Sequence, residues 1–178
     1  QSLAAAVGAD DKTWRAYLST QTRPGQPAVN ARDRIGNGPW YHSTARLLDY
    51  LERRLNRPLV KSQIHGDTLE EARRGSNMTK EFALTEHGEL VNGIGDPLPT
   101  RHDILTGSTP DGRAFPPGED RTCNSWTSND EGSTQVGHSD RVGNGNMSWN
   151  SSHATTGCSQ EDLISWGGVG LFYCFAID

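Results

Sequence analysis

From Thr127 to Ser152 the chain carries only four apolar side chains, Val136, Val142, Met147 and Trp149. A stretch of this length and polarity cannot offset its ordering entropy by burial, so an ordered fold must fasten it by other means. The same shortage runs through the whole chain. Only 33% of the residues are hydrophobic, and much of the remaining apolar share is made up by 20 Gly, which have no side chain to bury; there are also 9 Pro. That composition predicts a loop-rich fold with short strands rather than a helical bundle. Five Trp and several compact apolar runs argue against disorder. At 178 residues, one domain spanning 1–178 is expected.

The net charge of −5, with acids and bases interleaved, excludes the basic footprint that nucleic-acid binding requires. The densest basic run, Arg53-Arg54-Leu55-Asn56-Arg57, lies beside Asp49 and Glu52 and reads as a solvated face. No run of 18 apolar residues occurs, so no membrane-spanning helix is expected. Gln1 to Val7 lacks the basic start and long apolar run of a signal peptide, and reads as a helix entered partway, in a chain missing its extreme N-terminus. The three cysteines, Cys123, Cys158 and Cys174, form no C-x-x-C pair and no His stands at zinc-finger spacing from them. Two readings follow: one bridge plus one leftover thiol, or three reduced, buried cysteines.

Local patterning predicts a short helix over Leu3–Val7 ending at Gly8, a strand over Thr13–Leu18, and a short helix within Thr44–Leu55. Phe82–Glu86 and Glu89–Asn92 flank His87-Gly88 as a hairpin. Ile104–Gly107 reads as a buried strand, Thr109–Gly112 as a turn, and Gly170–Ile177 as the strongest strand and a central one.

The last third combines several elements. Ile104-Leu105-Thr106-Gly107-Ser108 and Pro110-Asp111-Gly112-Arg113 lead to Thr122-Cys123-Asn124-Ser125-Trp126. The polar excursion then reaches Ser148-Trp149-Asn150 and Gly157-Cys158, and Leu171-Phe172-Tyr173-Cys174 follows near the end. This arrangement resembles the C-type-lectin-like fold, in particular the endostatin domain of collagens XVIII and XV and bacterial secreted lectin-like proteins with a Cys-x-x-Trp-Thr element. Ala4–Ser19, Pro27–Asn30 with Trp40, and Leu84–Leu90 carry the resemblance toward the N-terminus. It implies an α+β domain: a small twisted mixed sheet, one or two helices and a long disulfide-bounded loop. It pairs Cys123 with Cys158. Cys174 is then the orphan, buried with its sulfur aimed at the first helix, where the family's partner cysteine would stand. Calcium-dependent lectins use a Pro-centred tripeptide and Trp-Asn-Asp; here Ser151 follows Trp149-Asn150, so no calcium-dependent monosaccharide site is expected at Asn150.

Three sets of residues are candidates for chemistry. His138, Asp140 and His153 offer two imidazoles and a carboxylate; they suit a transition metal, but the preferred reading is mutual hydrogen bonding that pins the loop. Asp96, His102 and Asp103, around a Gly/Pro-rich turn, form an oxygen-bearing candidate for calcium or another divalent cation. Ser139, His153 and Asp103 could be composed into a hydrolase triad, but no G-x-S-x-G elbow accompanies them. Trp126, Trp149 and Trp166 are candidates for stacking on sugar rings, with Asn150 beside them, whereas Trp14 and Trp40 are assigned to the core. The expectation is a non-catalytic recognition domain at the cell surface, outside the cell or in the periplasm, binding a glycan or protein partner. A structural subunit of a surface assembly, or a hydrolase using His138 and His153, is the alternative.

Overall fold

The computed structural model describes residues 2–38, 78–143 and 147–178. The expected helix within Thr44–Leu55 and the core position of Trp40 lie outside the described residues. The described residues form a mixed α/β structure with two small sheets, few helices and one disulfide.

Helix α1, Ser2–Ala6, is alanine-rich and stops before Gly8, whose φ of 69° no other residue adopts as readily. Strand β1, Trp14–Ala16, pairs antiparallel with β6, Cys174–Ala176, in a two-stranded sheet. A single turn, α2, follows at Ala31–Arg34. The larger sheet has the order β4-β3-β2-β5: β2 is Asp103–Leu105, β3 Gln135–His138, β4 His153–Ala154 and β5 Gly168–Phe172. It is mixed, because β5 joins β2 in parallel while the other pairings are antiparallel. Helix α3, Gln160–Trp166, connects β4 to β5. Its start is fixed by a reciprocal capping box between Ser159 and Asp162, and Gly167 ends it at a φ of 99°.

The predicted hairpin around His87-Gly88 is reduced to one bridge, Leu84 with Leu90, preceded by a 3-10 turn at Lys80–Phe82. The predicted turn is present, with the Gly112 amide donating to the Thr109 carbonyl at 2.8 Å. Two expectations need correction. Gly170–Ile177 is not one central strand: Tyr173 separates β5, an edge of the larger sheet, from β6 in the smaller one. Cys174 is not buried but exposed, because alternation in β6 turns Phe175 inward and its neighbours outward.

Among the described residues the apolar core is small and aromatic. Tyr17, Ala31, Ile35, Met78, Trp149 and Phe175 form one cluster; Ala83, Val91 and Ile104 form another. Tyr173 packs against both, so the break between β5 and β6 is also the joint between the clusters. The sheets are tied by backbone bonds from the Tyr17 amide to the Tyr173 carbonyl and from the Ser19 amide to the Thr106 carbonyl. Much of the remaining interior is polar and internally bonded. Thr106 Oγ1 donates to the Asn150 carbonyl at 2.6 Å, and Ser19 Oγ lies 2.9 Å from Ser108 Oγ.

The polar excursion is not a free loop. It contributes β3, whose four residues are all buried, and then passes back across it. Gly137 makes this crossing feasible: any Cβ there would overlap the Trp149 carbonyl and the Asn150 amide. The excursion is stapled at its base by the Cys123–Cys158 bond. Cys123 opens a left-handed turn in which Cys123, Asn124, Ser125 and Trp126 all have φ between 48° and 67°. For L-residues this conformation costs about 1–2 kcal/mol each. The Asp120 carboxylate offsets it by accepting from the Thr122 and Asn124 amides at 2.8 Å each.

Two outcomes follow. Replacing both Cys123 and Cys158 by Ala, a crosslink spanning 35 positions, should lower stability by about 4 kcal/mol on the chain-entropy model, read by denaturant unfolding. Cys174, being exposed, should react with a maleimide in the native protein, one equivalent per chain by mass spectrometry.

Candidate functional site

The larger sheet gathers the reactive residues. Antiparallel register places Asp103 of β2 directly opposite His138 of β3, so both side chains leave the same face. The register of β3 with β4 sets Val136 opposite His153, which puts His153 on that face too, diagonal to His138. His102 stands just before β2, free of strict alternation, and its ring stacks on His138 with centroids 4.4 Å apart and planes 12° apart. The two candidate sets that are separate in sequence, His102 with Asp103 and His138, Asp140 with His153, are thus one cluster.

Asp103 is its centre. His102 Nε2 lies 3.4 Å and His138 Nε2 3.3 Å from Oδ1, and His153 Nε2 lies 3.4 Å from Oδ2. Outer partners hold the rings. His102 Nδ1 is 2.9 Å from Asp140 Oδ1, His138 Nδ1 is 3.2 Å from Ser152 Oγ, and His153 Nδ1 is 3.3 Å from the Ala154 carbonyl. Asp140 is fixed in turn by the amides of Ile94 at 2.7 Å and Val142 at 3.0 Å. Gly143 packs against the His138 ring where a Cβ would collide.

The cluster is enclosed. The side chains of His102, Asp103, His138 and Asp140 are 7% exposed or less, while that of His153 is 30% exposed. Both Asp103 oxygens and His138 Nε2 are shut off from solvent without a hydrogen-bond partner. Burial lowers the pKa of His138 against the opposing pull of Asp103, whereas the facing Asp103 carboxylate raises that of His153. Burial resists ionisation of Asp140, but the Val142 amide, the His102 ring and the Ile94 amide outweigh it and hold its pKa below the usual carboxylate range.

The other predicted residues fall elsewhere. Asp96 is not part of the cluster: its carboxylate pairs with Lys80 and accepts from the Gly93 amide at 2.7 Å. Trp149 is a core residue, 1% exposed and in ring contact with Tyr17, Tyr173 and Phe175, so it offers no face to a sugar. Trp126 is half-buried and donates its indole N–H to the Ser19 carbonyl at 2.8 Å. Asn150 is fully buried. Its amide donates to Tyr17 Oη at 2.9 Å and to the Pro110 carbonyl at 3.2 Å, and its Oδ1 accepts from Ser148 Oγ. The loop is pinned through Asn150 and, within the predicted set, through the bond between Ser152 and His138. Ser139, the nucleophile of the hydrolase alternative, is buried with an unpartnered hydroxyl and makes no bond to an imidazole. Trp166, at the end of α3, is 42% exposed; its indole N–H donates to Thr156 Oγ1 at 3.0 Å and its ring lies 5.2 Å from that of His153.

Asn150→Ala should destabilise the fold by about 3 kcal/mol, since it removes the amide that bonds the buried Pro110 carbonyl and takes one bond each from the Tyr17 hydroxyl and Ser148. Calcium and a monosaccharide should not bind together at Asn150, whose side-chain oxygen is already committed; a calorimetric titration of sugar with and without calcium checks this.

No protein-family model, no curated protein and no solved structure matches this chain.

Proposed function

We propose that the chain is a non-catalytic recognition domain working outside the cytoplasm, and that its ligand is a glycan or glycan-bearing partner met at the exposed edge around Trp166. The observation that carries this reading is the enclosure of the reactive groups. A hydrolase needs a nucleophile and base within reach of each other and of substrate. Here Ser139 has no base, and the oxygens of Asp103 are closed to solvent. Among the described residues, what faces outward there is loop, helix end and one open indole.

Among the described residues Trp166 is the tryptophan with an exposed face. An indole ring pairs with the apolar C–H face of a sugar, and the exposed Thr156 hydroxyl beside it adds a polar contact of the kind that fixes orientation. The disulfide favours an oxidising compartment. Among the described residues no helix is long and apolar enough to cross a membrane. The C-type-lectin-like resemblance agrees with the same reading.

The test is a glycan array probed with and without calcium, repeated with Trp166→Ala. Binding that is independent of calcium and falls at least tenfold in the variant, with the unfolding midpoint unchanged, is the expected result. Turnover of ester, peptide or glycoside substrates that disappears in His153→Ala would overturn the reading.

A further inference from the structure

We propose that Nε2 of His102, His138 and His153 and the carboxylate of Asp103 are the ligands of one divalent transition-metal ion of the zinc class, held as a closed structural centre. This goes beyond the recognition reading and stands whether or not the chain binds a glycan.

The geometry is that of donors around an ion rather than of hydrogen bonds to one another. The three Nε2–carboxylate separations are 3.4, 3.3 and 3.4 Å. Charge-assisted N–H···O⁻ bonds are shorter, about 2.7–2.9 Å. Donors bound at about 2.0–2.1 Å to a tetrahedral ion lie about 3.3–3.4 Å from each other, the edge of the tetrahedron. The donor atoms of His102, Asp103 and His138 all fall within 4.8 Å of one another; His153 Nε2 stands outside that group, 3.4 Å from the second carboxylate oxygen, and is the ligand that closes in when the ion binds.

Burial supplies an independent argument. Both oxygens of Asp103 and Nε2 of His138 lack a partner in a region closed to water. A buried carboxylate persists as an anion only when it is paired or bound to a metal, and a cation held between Asp103 and His138 satisfies all three atoms together. The far sides of the rings are already prepared. Nδ1 of His102 faces Asp140, Nδ1 of His138 faces Ser152, and Nδ1 of His153 faces the Ala154 carbonyl. Such outer oxygens hold the Nδ1 proton and leave the Nε2 lone pair for a metal. Ring nitrogens with a single carboxylate suit zinc, cobalt, nickel or copper; calcium takes six to eight oxygens. Four protein ligands in an enclosed site leave no position for substrate, which makes the ion a staple rather than a catalyst.

The experiment uses untagged full chain, stripped with a chelator and titrated with Zn²⁺ and with Co²⁺. Binding is followed by elemental analysis, by the visible cobalt spectrum and by the thermal midpoint. The expected result is one equivalent of metal, the intense visible bands of tetrahedral cobalt, and a midpoint that rises on loading. Asp140→Asn should weaken zinc binding by about 10–100-fold, the usual effect of losing an outer partner, and His153→Ala by more than that. His87→Ala, an exposed histidine elsewhere, should change nothing. Asp103→Asn is a further ligand variant; if it does not fold, His153→Ala, at the most exposed ligand, decides the outcome. A chain that takes up no stoichiometric zinc or cobalt, whose midpoint ignores both metals, or whose binding survives in His153→Ala overturns the proposal in favour of an ion-paired cluster.

Discussion

The seating of Trp149 against Tyr17 is the contact on which the rest of the structure depends. Their rings lie 4.9 Å apart, and Asn150, the next residue, donates to the Tyr17 hydroxyl. Trp149 also meets Tyr173 and Phe175, so one indole from the polar excursion joins the N-terminal strand β1 to the C-terminal strands. An aromatic pair of this kind contributes about 0.5–1.5 kcal/mol beyond its area. Its larger effect is positional. With Trp149 docked, Ser148 to Ser152 run across β3, Ser152 reaches His138, and the chain enters β4 with His153 on the face that carries Asp103.

Burial of the Tyr17 and Tyr173 hydroxyls, which raises both pKa values, shows how completely this joint excludes water. The hydroxyls are nevertheless bonded, Tyr173 donating to the Trp149 carbonyl at 3.0 Å and Tyr17 accepting from Asn150. A chain with so few apolar residues holds its interior by satisfying polar groups in pairs. Ser19 with Ser108, Thr106 with Asn150, and Ser133 with the Thr155 carbonyl repeat the pattern through the larger sheet. Such networks are specific because each member left unpaired is costly.

Composition made the short strands, the loop-rich class and the need for a staple legible. Local signals located α1, β1, β2 and the Thr109–Gly112 turn, because helix stop, alternation and turn chemistry are encoded within a few residues. Strand β3 was missed for a physical reason: Gln135-Val136-Gly137-His138 has no apolar alternation, since its burial is satisfied by polar partners and a crossing backbone. The His/Asp cluster was legible only in halves. His102 and Asp103 are 35 and more positions from His138 and His153, and only strand register unites them. Asp96 was grouped with them through nearness in sequence, while in space Lys80 claims it. Trp149 and Asn150 looked like a binding pair because an aromatic and an amide in a polar loop carry no local sign of burial.

Gly137 couples the core to the cluster. The hydrogen atom it carries in place of a side chain is the clearance through which the return segment passes. Were that clearance filled, Trp149 would lift from the aromatic joint in one direction, and Ser152 and His153 would withdraw from the carboxylate in the other. Stability and site are therefore not separate traits in this chain. Descendants of the sequence are free to alter its outward loops independently, but a change at position 137 alters core and cluster at once, and selection acting on either is felt by both.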